Sequence, residues 1–456
     1  MMHRSRALAT DLYELTMAAA YFENGLDHPA SFEVFVRWMP PHRSYLVAAG
    51  LAQVIEYLSE LRFTESDLEF LRRLPVFRHV SDRFFDYLKD FRFSGEVWAI
   101  PEGTIFFPNE PILRITAPII EAQILETYTL SFLNFESSIA SKAARMVDAA
   151  RGRAIIEFGA RRAHGMTAAL YAARAAYIGG CVGTSLVEAG YLFGIPIYGT
   201  AAHSWNMAFD DELDAFRAYL RVFPETTTLL IDTYDTLQGA RKATMLGPQI
   251  RGVRLDSGDL GRLSKEVRAI LDAAGMQDTK IVASGDLNEY KIEELIAEGA
   301  PIDIFGVGTQ LSTSYDAPAL GGVYKLVEEV VNGEKVYKMK LSTEKSHYPG
   351  CKQVWRTSDD SGTYLFDTIT LADDDPVPGA LPLMERIMVE GRLVIAYPTL
   401  EEIRQRFLTN LERLPLRYRR LRGAESYPVR VSPRLEELRQ RVIAQLTAPV
   451  APSSRS

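Results

Sequence analysis

The segment "VRLDSGD" at residues 253–259 places an arginine and an aspartate where they could bind an anion. Arg254 and Asp256 lie two positions apart, so in a strand both side chains point to the same face. A guanidinium matches a planar carboxylate or a phosphate, and Asp256 or Asp259 could hold Mg²⁺ or ribose hydroxyls. The alternative is an ordinary Arg–Asp ion pair at the rim of a sheet.

Two glycine-containing segments, "SGDLNE" and "FGVGTQL", have the composition of phosphate-binding turns. A glycine-rich turn after a strand presents backbone N–H groups that suit a phosphate. Ser284, Gly285, Gly308 and Thr309 are therefore candidate phosphate-binding residues. The alternative is that these glycines only allow tight turns.

A lone histidine and a tandem arginine are further candidates. His203 in "GTAAHSW" has no histidine or cysteine at metal-ligand spacing and no nucleophile motif beside it. If it is not a packing residue, we expect it to act directly, as a base, a phosphate contact or a nucleophile. Arg161 in "EFGARRAHG" could bind phosphate after a strand, whereas its neighbour Arg162 fits a solvated helix start.

The elements that must position these residues follow a repeated βα pattern. Each apolar run of strand length precedes a helix-like segment, which predicts a parallel sheet with its chemistry at the carboxyl ends of the strands. "SGDL" recurs 27 residues apart, about one βα unit, so the sequence favours a barrel or a doubly wound sheet. The predicted strands lie within residues 154–162, 181–186, 195–203, 229–236, 252–260, 280–289 and 302–311.

The flanks of this region differ from it. Residues 1–135 mix helix patterns with short strands, and we assign them to a flanking segment, followed by a barrel domain at 136–325. Residues 326–445 would complete the flanking domain. They contain a hairpin with an Asn-Gly turn at 332–333, and an amphipathic helix predicted at 434–447 extends two residues past this segment. The tail at 446–456 is predicted to be disordered.

Composition excludes several classes of protein. The 456-residue chain has a net charge of −8, so no overall basic field exists to bind nucleic acid. The sequence contains no run of 18 apolar residues, so no membrane span is predicted. Acidic residues within the apolar N-terminal segment argue against a signal peptide. Cys181 and Cys351 form no CxxC pair, which predicts no structural metal and a cytoplasmic location.

Eight segments, taken in order, resemble the nicotinate phosphoribosyltransferase family. The resemblance implies a type II phosphoribosyltransferase fold, an irregular TIM-like α/β barrel with a flanking α/β domain formed from the N- and C-terminal segments. It also implies a homodimer with a shared active site. The segments are "TDLYELTMAAAYF", "FEVFVRWMPPHRSYLVAAGL", "EFGARRAHG", "GTAAHSW", "GVRLDSGDL", "VASGDLNE", "FGVGTQL" and "GGVYKLVE", and a later one, "KLSTEKSHYPGCKQVWR", resembles another loop of the family.

The resemblance implies a reaction of NAD salvage. Nicotinate would react with 5-phosphoribosyl 1-diphosphate to give nicotinate mononucleotide and diphosphate, with Mg²⁺ and with coupled hydrolysis of ATP. No P-loop motif is present, so the residues that bind ATP cannot be assigned from the sequence.

Position by position, the resemblance also implies roles for single residues. His203 matches a histidine that ATP phosphorylates, and Asp256 is placed for the ribose or the metal. Tyr13, from the partner subunit, and Phe158 would enclose the pyridine ring. The remaining matches are Arg254 and Thr200 for nicotinate, Arg161 as a further ligand-binding arginine, and Ser284, Gly285, Gly308 and Thr309 for phosphate.

Four alternative functions fit the sequence less well. In the nicotinamide-using relative an aspartate stands at the position of Ser185, and a serine there would not repel a carboxylate, which favours the acid. A quinolinate enzyme has a shorter chain without the phosphorylated histidine, and an aldolase would need a lysine at a strand end. A degenerate binding module would have lost Tyr13, His203 or Arg254, and all three are present.

Overall fold

The structure is a computed structural model that describes residues 5–341 and 347–448. The predicted disorder of residues 449–456 lies outside this part, as do residues 342–346 of the later loop. Residues 446 and 447 of the predicted tail belong to the last helix. No helix of the described residues combines the length and the apolar character needed to cross a bilayer.

The helices of the described residues vary from one turn to more than six. Two 3₁₀ turns, Pro75–Phe77 and Ala160–Arg162, accompany them. The α-helices are α1 Leu12–Glu23, α2 Leu51–Glu60, α3 Glu65–Arg73, α4 Asp82–Asp90, α5 Ile119–Gln123, α6 Glu126–Ala149, α7 Met166–Ile178, α8 Val187–Phe193, α9 His203–Met207, α10 Glu212–Val222, α11 Thr236–Thr244, α12 Leu260–Ala273, α13 Glu289–Ala297, α14 Thr309–Ser312, α15 Leu400–Arg413, α16 Leu416–Arg419 and α17 Pro433–Thr447.

The strands are mostly short. They are β1 Pro29–Val36, β2 Leu46–Val47, β3 Glu96–Ala99, β4 Ile105–Phe106, β5 Leu113–Pro118, β6 Ala154–Glu157, β7 Gly183–Thr184, β8 Thr228–Leu230, β9 Gly252–Leu255, β10 Lys280–Ala283, β11 Ile304–Val307, β12 Gly322–Val331, β13 Glu334–Tyr337, β14 Lys352–Ser358, β15 Tyr364–Leu371, β16 Ala380–Pro382, β17 Glu385–Val389, β18 Arg392–Leu393 and β19 Val429–Val431.

A seven-stranded sheet is formed by both ends of the chain. Its order is β13-β12-β1-β5-β3-β17-β18, and β1 pairs antiparallel with both β5 and β12. The flanking domain built from N- and C-terminal segments is therefore confirmed. The predicted domain boundaries at 135/136 and 325/326 fall inside α6 and β12. The hairpin between β12 and β13 turns at Asn332 and Gly333, which have the positive φ values of 53° and 81° that this turn requires.

A six-stranded parallel sheet forms the barrel domain. Its order is β7-β6-β11-β10-β9-β8, and helices α7 and α11 to α13 connect its strands. Within the described residues no ladder joins β8 to β7, so the barrel is irregular. Six of the seven predicted strands are present, each shorter than the apolar run that predicted it.

The seventh predicted strand, at 195–203, is wrong. Its only sheet contact is a single bridge between Ile197 and Thr184. Pro196 has no N–H to donate to a ladder, and the chain instead curves toward α9, which begins at His203.

Strand alternation directs polar side chains to the site. Val253 and Leu255 of β9 are buried in the apolar core between the sheet and its helices. Arg254, between them, therefore points the opposite way, toward the barrel interior, on the same side as Asp256.

Candidate active site

Arg254 lies at the centre of a network of hydrogen bonds between strand ends. Its Nε donates to Ser284 Oγ at 2.7 Å, its Nη1 to Thr200 Oγ1 at 2.8 Å and its Nη2 to Asp256 Oδ1 at 2.6 Å. A guanidinium carries five N–H donors, so two remain for a ligand. Four predicted site residues, Arg254, Thr200, Ser284 and Asp256, are thus joined by direct hydrogen bonds.

The carboxyl of Asp256 is held in its charged form. Burial alone would raise its pKa, but the hydrogen bond from Ser284 and the nearby charge of Arg254 outweigh burial and lower the pKa below its ordinary value. Oδ1 accepts both hydrogen bonds, whereas Oδ2 accepts none from the described residues. One oxygen of a charged carboxylate is thus available to a ligand or a cation.

A cavity of about 260 Å³ opens beside this network. Eight of the predicted site residues line it together with Arg162, which is exposed to solvent. Those eight are Phe158, Arg161, Arg254, Asp256, Ser284, Gly285, Gly308 and Thr309.

The predicted phosphate turns offer backbone donors. The N–H groups of Gly285, Gly308 and Thr309 make no hydrogen bond to any described residue, so each can donate to a ligand. Gly285 has a φ of +96°, and a Cβ there would lie 2.1 Å from the carbonyl oxygen of Asp256. Only glycine allows the "SGDL" turn to approach β9 so closely.

Phe158 forms the apolar wall of the cavity. Its ring centroid lies 5.8 Å from the guanidinium carbon of Arg254. A Cβ on Gly306 would lie 2.5 Å from this ring. Gly306, which was not predicted as a site residue, therefore makes room for the ring of Phe158.

His203 reaches the network through a buried carboxylate. Its Nε2 lies 3.2 Å from Oδ1 of Asp232, whose side chain is 1% exposed. The other oxygen, Asp232 Oδ2, accepts the N–H of Asp256 at 3.0 Å and the hydroxyl of Ser257 at 2.6 Å. Asp232 was missed in the sequence, although it follows the predicted strand in "LLIDTYDT".

Two predicted residues lie apart from both the cavity and the network around Arg254. Tyr13 lies in α1, which packs on α4 and α5 of the flanking domain, and it does not line the cavity. Burial and the nearby carboxylate of Glu126 raise its pKa. Ser185 follows the neighbouring strand β7, and its N–H donates to the carbonyl of Glu157 at 3.0 Å. It also does not line the cavity.

No cluster of three or more His, Cys, Asp or Glu side chains in the described residues could hold a metal ion by itself. A hard cation bound with one or two carboxylates and with phosphate oxygens of a substrate needs no such cluster. Asp256, with its available Oδ2 beside the cavity, fits that kind of binding for Mg²⁺.

Comparison with known protein families identifies three consecutive matches. The nicotinate phosphoribosyltransferase N-terminal domain matches residues 8–134, and its C-terminal domain matches residues 379–439. Between them, the quinolinate phosphoribosyl transferase C-terminal domain matches residues 139–317, the region of the parallel sheet.

Individual proteins match over nearly the whole chain. A nicotinate phosphoribosyltransferase of Mycobacterium tuberculosis is 48% identical over 437 residues, 94% of this chain and 92% of the relative. That of Bacillus subtilis is 40% identical over 482 residues, 97% and 98% of the two chains. The crystal structure of human nicotinic acid phosphoribosyltransferase superimposes with a TM-score of 0.82 at 30% identity, covering 95% of this chain and 99% of that one. The chain belongs to the nicotinate phosphoribosyltransferase family.

Proposed function

We propose that this chain transfers the 5-phosphoribosyl group of 5-phosphoribosyl 1-diphosphate to nicotinate, and that ATP phosphorylates His203 to drive the transfer. Family membership makes the chain an enzyme of NAD salvage. The observation that carries the proposal is the combination, in one cavity, of Arg254, the ring of Phe158 and three available N–H groups. These groups match a carboxylate, an aromatic ring and a phosphate.

Nicotinate binding follows from the position of Arg254. Two donors of its guanidinium remain for the carboxylate of nicotinate, and Phe158 offers an aromatic face to the pyridine ring. The hydroxyl of Thr200 accepts from Arg254, which fixes the direction of the guanidinium. Ser185 is uncharged and lies at the end of the neighbouring strand β7, so it would not repel the carboxylate of nicotinate.

The transfer step forms a bond between the pyridine nitrogen and C1 of the ribose as the bond from C1 to diphosphate breaks. Positive charge develops on the ribose and negative charge on the diphosphate. The site must therefore orient the ribose and stabilise the departing diphosphate. The N–H groups of Gly285, Gly308 and Thr309 and the guanidinium of Arg161 are the donors we assign to phosphate oxygens. Asp256 would hold Mg²⁺, and the metal would supply positive charge that neutralises the leaving group.

His203 supplies the coupling to ATP. Asp232 faces Nε2, so it fixes the ring with the proton on Nε2 and leaves the lone pair of Nδ1 as the nucleophile. Nδ1 attacks the γ-phosphorus of ATP, the bond to the ADP oxygen breaks, and water later hydrolyses the phosphohistidine to phosphate. The hydrogen bonds of Asp232 to Asp256 and Ser257 tie this chemistry to the transfer site.

We also propose a homodimer in which Tyr13 enters the partner's site. Tyr13 is 44% exposed beside Leu12 and Met17 on α1, and Tyr191 of α8 is 86% exposed. Exposed aromatic side chains of this kind are typical of subunit interfaces. A cytoplasmic location remains a prediction, with which the two unpaired cysteines agree.

Steady-state turnover tests the function. With 5-phosphoribosyl 1-diphosphate and Mg²⁺, we expect turnover of nicotinate that ATP strongly increases, and an acid-labile phosphate on the enzyme with labelled ATP. His203→Ala should lose both the increase and the label. Turnover of nicotinamide instead would overturn the assignment of Arg254 and Ser185, and full ATP stimulation in His203→Ala would overturn the role of His203.

A further inference from the structure

A cleft of about 830 Å³ lies apart from the reaction site. It is formed by residues 39–44, the start of α13 and residues 420–429, and it shares no lining residue with the cavity beside Arg254. Four arginines line it, Arg43, Arg145, Arg420 and Arg422, against the single carboxylate of Glu425. We call it the arginine cleft. In a chain with a net charge of −8, this excess of positive charge is local.

The wall of the arginine cleft contains one more buried cation than carboxylates. Arg43 pairs with Asp316 at 2.7 Å, and Arg145 pairs with Glu289 at 3.0 Å. Lys142 lies between them, 2.6 Å from Glu289 and 2.8 Å from Asp316. Three cations, each at most 2% exposed, thus share two carboxylates. Because an unbalanced buried charge is unfavourable, an anion in the cleft would be stabilising.

Two arginines at the rim of the cleft are accessible to an anion. Arg420 makes no ion pair with any described residue. Arg422 pairs with Glu293 at 2.6 Å and Glu294 at 3.5 Å, but its side chain is 59% exposed. Such exposed pairs contribute little, so a phosphate can replace them. The hydroxyl of Ser44, which also lines the cleft, is buried without a hydrogen-bond partner among the described residues.

The cleft also has an aromatic side. Phe107 and Tyr427, which are 1% and 7% exposed, stack with their ring centroids 4.0 Å apart, and both line it. The guanidinium of Arg422 lies 4.7 Å from the ring centroid of Tyr290. A bare phosphate would use only the cations, whereas a ligand with a flat ring and phosphates would use both sides. A cavity of this volume is large enough for such a ligand.

We propose that the arginine cleft binds a nucleoside diphosphate as a second ligand, separate from the reaction site. Its phosphates contact Arg420 and Arg422 and balance the buried charge, and its base lies against the aromatic side chains. The inference does not depend on the proposed function, because it concerns a different surface of the chain.

Binding of labelled ADP to the full-length chain tests the proposal. Equilibrium dialysis would count the ADP bound per chain in the wild type, in Arg420→Ala/Arg422→Ala and in Arg420→Glu. Arg221→Ala, an exposed arginine at the end of α10 and outside the cleft, is the matched control. We expect the double variant to bind one ADP fewer per chain than the wild type and the control, and Arg420→Glu to bind it at least about tenfold more weakly. An unchanged number and affinity in both cleft variants would overturn the proposal.

Competition separates the nucleotide from free phosphate ions. Inorganic diphosphate and adenosine would each be added to the wild type as competitors. The relevant signal is the bound ADP that the wild type retains and the double variant lacks. We expect diphosphate to compete at least about tenfold more weakly than unlabelled ADP, and adenosine to be weaker still. Diphosphate that competes as well as ADP would overturn the assignment of the base to the aromatic side chains.

Discussion

At the scale of single residues, Asp232 connects the two parts of the proposed reaction. One carboxylate oxygen faces His203, and the other accepts hydrogen bonds from Asp256 and Ser257. The sequence pointed to His203 but not to its partner, because several aspartates follow the predicted strands. Spacing alone cannot say which of them faces the imidazole, since α9, which begins at His203, meets Asp232 only in the folded chain.

Replacement of Asp232 by asparagine should impair phosphorylation of His203. An amide no longer holds the proton on Nε2, so Nδ1 loses its fixed lone pair, and we expect labelling from γ-labelled ATP to slow at least about tenfold. Nicotinate binding should change little, because Arg254 does not contact Asp232. Asp278→Asn, at an exposed turn residue, is the control. Normal labelling in Asp232→Asn would contradict this role.

At the scale of elements, the carboxyl ends of the parallel strands were predictable and the detailed path between them was not. Alternation along β9 correctly placed Arg254 and Asp256 on one face. The segment at 195–203 has the composition of a strand, but Pro196 has no N–H to donate, and the segment forms a single bridge. The need for glycine at 306 depends on a ring from another strand end, which no local pattern indicates.

Replacement of Gly306 by alanine should weaken nicotinate binding. The new methyl group would lie 2.5 Å from the ring of Phe158, so the ring must move out of its position beside Arg254. We expect KM for nicotinate to rise roughly tenfold or more, with a smaller change in KM for 5-phosphoribosyl 1-diphosphate. Gly321→Ala is the matched control, because its Cβ would meet nothing closer than 3.9 Å. Equal changes in both KM values would argue for a general distortion instead.

At the scale of the whole molecule, a buried carboxylate pair should make stability depend on pH. Glu102 and Glu136 share Arg174, at 2.6 and 2.8 Å, in the core between the flanking domain and the barrel. Burial raises the pKa of Glu136 to about 7. The negative charge of Glu102 also raises this pKa, whereas the positive charge of Arg174 opposes the rise. The folded chain therefore holds a proton that the unfolded chain has released, and the free energy of unfolding falls as pH rises toward 7.

Glu136→Gln should remove this dependence, because glutamine keeps the shape without the titration. We expect the variant to gain free energy of unfolding relative to the wild type as pH rises from about 5 to about 8, measured by urea unfolding. Glu60→Gln, at an exposed position, is the control, and its free energy of unfolding should depend on pH as that of the wild type does. A constant difference between Glu136→Gln and the wild type across this range would contradict the raised pKa.

The proposed sharing of the site between two subunits can be tested by mixing variants. Tyr13→Ala and Arg254→Ala should each be nearly inactive, but a mixed dimer would contain one site with both residues intact. If the two variants are refolded together in equal amounts, about half of the dimers are mixed and each has one intact site of two, so about a quarter of wild-type activity should return. A mixture of His203→Ala and Arg254→Ala should restore none, because both residues come from the same barrel. No recovery in the first mixture would mean that Tyr13 acts within its own chain or not at all.

The central position of β1 determines when this protein can finish folding during synthesis. Ala30 pairs with Ala117 on one side but with Glu329 on the other. The ribosome therefore completes all six parallel strands, and every residue of the proposed reaction site, while one edge of β1 still lacks its neighbour. An unpaired edge of this kind invites pairing with other chains. A transcript that ends before β12 would thus encode the whole reaction site and still yield a chain prone to aggregate.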